Sequence, residues 1–158
     1  MELFSGHYYC IDTSSLINLT RWYPRNNFPS LWEKIEGLIS EGRLIAPTYV
    51  LKEIEQATDK KDILLKWVKQ QKRMFEKLEQ EQLHSAQEIV KNNPLLIDKD
   101  KTIEDADPFV IALAIAKNAT IITDESKTNP NKIPTVAGKY NRKSMSLVEF
   151  IKLQGWKF

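Results

Sequence analysis

Short apolar runs alternate with longer amphipathic stretches along the chain. Three of the runs have the length and composition of buried strands: residues 8–11, 43–46 and 120–123. Residues 95–97 are also apolar, and they fit either a short strand or a packed connection. Because strands that alternate with helices usually form a parallel sheet, the order of elements predicts an α/β fold with helices on both faces of the sheet.

Capping residues mark the ends of several predicted helices. Ser30 and Glu33 have the S-x-x-E spacing of a capping box, and Gly42 stands where a helix would end. Ser146 and Glu149 repeat this spacing before an apolar stretch. The pattern therefore predicts one helix between Ser30 and Gly42 and a last helix that begins at Ser146.

The most apolar helix is predicted to be central. Pro108 suits its first turn, because the N–H that proline lacks would be unpaired there. Residues 109–116 are then apolar nearly all round. Residues 60–92 predict one or two long amphipathic helices, and shorter helices are expected after the second strand and near Ile133.

The composition is that of one ordinary globular domain. The chain has 158 residues, of which 42% are hydrophobic and 28% are charged, and a domain of this size buries roughly 70% of its unfolded surface. A single cysteine, Cys10, excludes an internal disulfide, and the two histidines lie too far apart for a zinc pattern. No leader pattern and no apolar run of about 20 residues occurs, so we expect a cytoplasmic protein without a membrane span.

Basic residues are concentrated late in the chain. Residues 126–148 contain no acid, although the net charge of the whole chain is only +2. A basic segment can contact phosphates, and so can basic side chains in and beside the loop predicted at residues 22–29. Taken alone, such a segment is more often a solvated surface. The candidate nucleic-acid-binding residues are Arg21, Arg25, Lys127, Lys132, Arg142 and Lys143.

Carboxylates follow the predicted strands where a parallel sheet would gather them. In such sheets, ligands bind beyond the carboxyl ends of the strands. Any one of these acids could be a turn former, a helix cap or a surface residue, but the set predicts a shared site. The set comprises Asp12 after the first strand, Glu53 on the helix after the second, Asp105 and Asp107 at the start of the central helix, and Asp124 and Glu125 after the last strand.

The chemistry of such a set points to a divalent cation. Carboxylates at one edge of a sheet repel one another, and a cation removes that repulsion. Because the ligands are oxygens, with no histidine or cysteine in the pattern, Mg²⁺ or Mn²⁺ is favoured over zinc. Such a site supports phosphodiester hydrolysis, since the metal supplies hydroxide near neutral pH. Ser14 and Ser15 lack a histidine partner, so hydrogen bonding to Asp12 or helix capping suits them better than nucleophilic attack.

Four segments resemble the motifs of PIN domains, a nuclease superfamily that includes the VapC-type toxin ribonucleases. Residues 11–17 (IDTSSLI) resemble the opening motif, and residues 50–54 (VLKEI) resemble the segment of the second acid. Residues 107–114 (DPFVIALA) resemble the helix of the third acid, and residues 120–125 (TIITDE) resemble the last strand with its acid. Their order and spacing are more specific than any one of them.

The narrower resemblance is to DUF4411, an uncharacterised PIN-like family. It rests on residues 106–108 (ADP), on Thr123 with the acid that follows it, and on residues 132–134 (KIP). It covers essentially the whole chain and implies one PIN-like nuclease domain over residues 1–158. This domain would have three α/β/α layers with a central parallel sheet of four to five strands.

The resemblance also implies roles within the site. The metal-binding and catalytic acids would be Asp12, Glu53, Asp107 and Asp124, and the supporting residues would be Ser14, Asp105 and Glu125. The fourth acid has two candidates, because PIN toxins usually carry aspartate near the end of the last strand, whereas DUF4411 chains tend to carry glutamate one place later. Asp105 would assist Asp107 or only cap its helix.

The function implied is a Mg²⁺- or Mn²⁺-dependent endoribonuclease that acts as a toxin, binds an antitoxin protein and forms a homodimer. A structure-specific DNA nuclease on the same scaffold is the second hypothesis. The third is a non-catalytic nucleic-acid- or protein-binding PIN module, in which lost acids would be expected. A phospho-acceptor receiver domain has the least support, because no acidic pair precedes the first strand.

Overall fold

A parallel sheet forms the centre of the computed structural model, which describes residues 7–57, 62–98 and 105–158. Its strands in this part of the chain are β1 (Tyr9–Ile11), β2 (Leu44–Pro47), β3 (Phe75–Glu76), β4 (Thr120–Ile122) and β5 (Ser144–Met145). Their order is β3-β2-β1-β4-β5, and every neighbouring pair is parallel. Cys10 in β1 pairs with Ile45 of β2 on one side and with Ile121 of β4 on the other. The predicted α/β fold with a parallel sheet of four to five strands is confirmed.

Helices flank this sheet. In the described residues they are α1 (Thr13–Trp22), α2 (Pro29–Ser40), α3 (Thr48–Ala57), α4 (Ile63–Gln70), α5 (Gln80–Asn92), α6 (Asp107–Lys117), α7 (Ile133–Gly138) and α8 (Leu147–Gln154), with 3₁₀ turns at Lys72–Met74 and Pro94–Leu96. α6 packs against β1, β2 and β4, and α5 packs against α6. None of the described helices is long and apolar enough to cross a membrane.

The core is built around α6 and is closed by aromatic pairs. Residues 108–114 of α6 are all buried, as expected for a helix that is apolar on every side. Trp32 of α2 and Trp67 of α4 meet edge to face, with their ring centroids 5.0 Å apart. Tyr9 and Phe150 join β1 to α8 in the same way, at 5.0 Å. Each such pair contributes about 0.5–1.5 kcal/mol beyond the area that it buries.

Several predicted helix ends are confirmed. Gly42 follows α2 with φ +74°, in the left-handed region that favours glycine. The capping box of α8 is complete, since the Ser146 hydroxyl accepts from Glu149 N at 3.1 Å and Glu149 Oε1 accepts from Ser146 N at 2.9 Å. The box holds the first turn of α8, whose Leu147 and Phe150 are buried.

The other predicted capping box is wrong. α2 begins at Pro29, its N-cap is Phe28, and no side chain caps it. Pro29 suits the first helical position because it has no N–H to satisfy. Ser30 therefore already lies inside the helix, two positions after the N-cap.

The prediction for residues 60–92 is only partly right, and residues 58–61 lie outside the described part of the chain. Two helices are present, but β3 lies between them and pairs with Ala46 and Pro47 of β2. A strand of two residues leaves no period-two pattern, and β5 escaped prediction for the same reason. The ambiguous stretch at residues 95–97 overlaps the 3₁₀ turn at Pro94–Leu96.

The two S-x-x-E patterns give a matched test of helix capping. Ser146→Ala removes the acceptor of Glu149 N and is expected to lower the free energy of unfolding by about 1 kcal/mol. Ser30→Ala removes no capping bond and should change it by less than about 0.5 kcal/mol. Urea unfolding measures both values, and equal losses would contradict the assignment of the caps.

Candidate active site

One pocket gathers most of the predicted acids at the carboxyl ends of the strands. It has a volume of about 570 Å³. Asp12 follows β1, Glu53 lies on the helix after β2, and Glu125 follows β4, so the parallel sheet brings all three to one edge. The predicted residues that line it are Asp12, Ser14, Glu53, Asp105, Asp107, Glu125 and Lys132.

Asp12 is buried and held by three neighbours. As the N-cap of α1, its Oδ1 accepts from Ser15 N at 2.9 Å and its two carboxylate oxygens lie 2.9 Å from the Ser14 hydroxyl. Thr123 donates its hydroxyl to Asp12 Oδ2 at 2.5 Å and accepts from Glu125 N at 3.1 Å. Burial raises the pKa of Asp12 to about 7, although these hydrogen bonds oppose the shift. The carboxylate is thus fixed in place by neutral donors.

Glu53 joins three elements at the rim of the sheet. It is 7% exposed. Its Oε1 accepts from the Thr13 hydroxyl at 2.5 Å, and its Oε2 accepts from Ala106 N at 3.2 Å. These contacts tie α3 to the first turn of α1 and to the residue before α6. The second acid is therefore oriented by the same kind of neutral donors as the first.

Asp107 has the least compensated carboxylate of the pocket. No donor among the described residues reaches its carboxylate, whereas its backbone N donates to Asp105 Oδ1 at 3.3 Å. Burial, followed by the negative charges of Glu125, Asp105, Asp12 and Glu53, raises the pKa of Asp107 to about 9. All four of these acids line the same pocket, so their charges act on one another. A site of this kind favours the arrival of a cation.

The two acids after β4 point to different places. Glu125 lines the pocket, and its Oε1 accepts from Ile133 N at 3.0 Å. Asp124 is not among the pocket residues, and its Oδ1 and Oδ2 accept from Leu147 N and Asn18 Nδ2, both at 2.8 Å. The structure therefore places Glu125 with the other acids, whereas Asp124 links α1 to the start of α8. Asp124, one of the two candidates for the fourth metal-binding acid, therefore does not line this pocket, and the choice between Asp124 and Glu125 stays a prediction.

Of the six predicted basic residues, only Lys132 lines the pocket. Arg25 pairs with Glu36 at 2.6 Å, Lys127 pairs with Glu149 at 2.5 Å, and Arg142 donates to Asn118 Oδ1 at 2.6 Å. Arg142 and Lys143 directly precede β5, so they lie at the amino end of a strand whose carboxyl end faces the acids. Arg21 is exposed in the last turn of α1.

Several residues that shape the site were missed in the sequence. Thr13 and Thr123 stand next to predicted acids in the chain, but each donates its hydroxyl to a different acid, supplied by a distant segment. Asn18, which holds Asp124, gave no signal at all. Their adjacency to predicted acids is the signal that could have found these two threonines, but only the fold shows which carboxylate each hydroxyl reaches. The pocket also has an apolar side, formed by Ile17, Ala57, Leu95, Leu96 and Ile97.

The oxygen donors of the pocket suit Mg²⁺ or Mn²⁺ better than a metal whose ligands must all come from the protein. In the described ranges, no group of three or more His, Cys, Asp or Glu side chains forms a ready-made metal site. Mg²⁺ commonly takes one or two carboxylates directly and keeps several waters, so spaced oxygen donors suit it. The uncompensated carboxylate of Asp107 gives such an ion a reason to bind there.

Comparison with known proteins defines the fold class first. The chain is similar to a chain in the crystal structure of VapBC2 from Rickettsia felis bound to a DNA fragment from their promoter, with a TM-score of 0.54 and 19% sequence identity over 88% of this chain and 98% of that chain. At this identity the likeness concerns the fold, which is PIN-like, as predicted. Residues 9–158 match the family described as domain of unknown function (DUF4411), and the chain belongs to that family. A search of curated proteins finds no match.

The raised pKa values predict how stability depends on pH and metal. Folding is favoured while Asp12 and Asp107 are protonated, so their contribution is complete below the ordinary pKa of 3.8 and is lost as the pH rises through about 7 and about 9. The metal-free melting temperature should therefore fall over this range, and Mn²⁺ should restore it most at the alkaline end. In Asp107→Asn, the melting temperature should fall less with rising pH, and Mn²⁺ should raise it less than in the wild type.

Glu33→Gln is the matched control, because it removes one negative charge from an exposed position on α2. Its pH profile and Mn²⁺ response should equal those of the wild type in the same scanning fluorimetry. A wild-type melting temperature that does not respond to Mn²⁺ at any pH would contradict the cation site.

Thr123 tests whether the neutral donors matter for metal binding. Thr123→Val removes the donor to Asp12 Oδ2 and should weaken Mn²⁺ binding about 10- to 100-fold, as loss of a hydrogen bond to a metal ligand generally does. Thr123→Ser keeps the hydroxyl and should bind nearly as the wild type does. Isothermal titration with Mn²⁺ gives both affinities, and equal affinities for the two variants would rule out this role.

Proposed function

We propose that this protein is a Mg²⁺- or Mn²⁺-dependent endoribonuclease that hydrolyses phosphodiester bonds at the acid pocket. The observation that carries the proposal is the convergence of Asp12, Glu53, Asp107 and Glu125 on one pocket. Such a convergence is costly for folding unless it serves a ligand of opposite charge.

Within this proposal, Asp12, Glu53, Asp107 and Glu125 would hold the metal, one or two of them directly and the others through its water ligands. When bound, the ion lowers the pKa of a water and offsets charge on the phosphate oxygens. Thr123 and Ser14 keep the Asp12 carboxylate oriented, and Thr13 does the same for Glu53. The backbone N–H of Ile133 holds Glu125 at the pocket. The chain needs no nucleophilic side chain, and no triad is required of Ser14 or Ser15.

The choice of RNA and of a toxin role rests on similarity as well as on the site. The sequence resembles VapC-type toxin ribonucleases in all four acid-bearing segments, and one solved structure of similar fold is a VapBC2 complex. We therefore include in the proposal an antitoxin protein as partner and a homodimeric state. The description of DUF4411 gives no activity, so membership of this family is compatible with the proposed function.

A cleavage assay tests the proposal directly. Purified protein is incubated with a mixed RNA pool in Mn²⁺, Mg²⁺ or EDTA, and we expect cleavage with either metal and none in EDTA. Asp12→Asn should abolish cleavage while circular dichroism shows an intact fold. Cleavage of flap or single-stranded DNA in place of RNA would favour a DNA nuclease, and no cleavage by metal-loaded protein would favour a binding module.

The acids after β4 provide an internal control for the same assay. Glu125→Gln should abolish cleavage with little change in melting temperature, because it alters the pocket. Asp124→Asn weakens the link between α1 and α8, so it should cost about 1.5–3 kcal/mol of stability and reduce cleavage far less than Glu125→Gln does. The reverse pattern would return the fourth-acid role to Asp124.

A further inference from the structure

The acid pocket contains a single basic residue among the described residues that line it, Lys132. The other charged residues there are six carboxylates: Asp12, Glu53, Asp98, Asp105, Asp107 and Glu125. A phosphate entering such a pocket meets repulsion from nearly every side unless a positive charge faces it. Lys132 is the protein group that can supply that charge.

The backbone of Lys132 is fixed next to the acids. Lys132 is the N-cap of α7, its carbonyl accepts from Val136 N at 3.1 Å, and its N–H donates to Asn129 O at 3.3 Å. The next residue, Ile133, is fully buried and donates its N–H to Glu125 Oε1 at 3.0 Å. Lys132 therefore directly precedes a residue that is hydrogen-bonded to a pocket carboxylate, and its long side chain extends from a fixed backbone.

Within residues 7–57, 62–98 and 105–158, the ammonium group of Lys132 has no ion-pair partner. It makes no ion pair within 4.0 Å in the described part of the chain, although it shares the pocket with the carboxylates. Lys127, in the same loop, differs because its ammonium pairs with Glu149 at 2.5 Å. If neutralising the acids were the task of Lys132, a pair with one of them would be expected. Its position suits an anion that comes from outside.

We propose that Lys132 binds a phosphate group of the nucleic-acid substrate and so sets the affinity of the pocket for RNA. This inference rests on the proposed nuclease function and adds a residue that binds substrate without holding the metal. A lysine offers a compact charge that attracts any phosphate oxygen, whatever the base. Lys132 therefore contributes to binding and not to sequence choice.

The test uses the full chain and a short oligonucleotide that the cleavage assay has identified as a substrate. Lys132→Ala should raise KM about tenfold and leave kcat within about twofold, because the contact is present in both the ground state and the transition state. The slope of log kcat/KM against log salt should become shallower by about 0.7 to 1, the effect of one lost phosphate contact on a single strand. Lys132→Arg should restore most of the affinity.

Two controls separate this role from others. Lys152→Ala removes the same charge from an exposed position on α8 and should leave KM and the salt slope unchanged. Mn²⁺ affinity, measured by calorimetry without RNA, should be the same in Lys132→Ala and wild type. A loss of Mn²⁺ affinity in Lys132→Ala would overturn the inference, since the lysine would then act through the acids.

The remaining outcomes are equally decisive. An unchanged KM and salt slope in Lys132→Ala, in a protein that still cleaves RNA with Mn²⁺, would overturn the role of Lys132 and leave the nuclease proposal intact. A fall in kcat at constant KM would also overturn it, because the lysine would then act on the reacting atoms. A wild type that binds Mn²⁺ but cleaves no RNA would overturn the nuclease proposal, and the role of Lys132 with it.

Discussion

The parallel pairing of β1 with β2 and β4 is the constraint on which the rest of this protein depends. Because all the strands run in the same direction, the residues that follow them meet at one edge, and three of those segments carry acids. The arrangement has a cost, since Asp12 is buried, Asp107 is half-buried and the pKa values of both are raised. The apolar helix α6, buried along residues 108–114 directly after Asp107, provides the packing that offsets it.

Neutral donors orient three acids of the pocket. Asp12, Glu53 and Glu125 each accept from hydroxyl or backbone N–H donors, which fix a carboxylate in position without adding a positive charge. If arginine or lysine replaced these donors, it would bind the same carboxylate oxygens and also neutralise their charge, which would weaken the attraction for a metal ion. Both carboxylate oxygens of Asp124, the neighbour of Glu125, accept hydrogen bonds from α1 and from the start of α8. Two adjacent acids thus have different hydrogen-bond partners, and only Glu125 of the two lines the pocket.

Family and fold place this chain without specifying its chemistry. A family of unknown function gives no reaction, and a fold shared at 19% identity can host different activities. The site is more informative than the fold: its pocket is lined by acids, by apolar side chains and by one lysine that forms no ion pair with a described residue. Phosphodiester chemistry accounts for the acids and the lysine together, since a metal and a phosphate require charges of opposite sign in the same place.

The sequence alone determined the α/β class, the parallel sheet, the central position of α6 and the set of acids, because these follow from hydrophobic periodicity and from residues placed at strand ends. It could not locate β3 or β5. Each of these strands has only two residues, and it forms only because it pairs with a neighbouring strand of the sheet. Nor could the sequence choose between Asp124 and Glu125, since both follow the same strand and differ only in what the fold brings beside them. The hydroxyl of Thr123 reaches Asp12 across 111 residues of chain, and such a contact exists only after the sheet has formed. Local patterns record what each segment prefers, whereas the partner of a buried polar group is decided by tertiary packing.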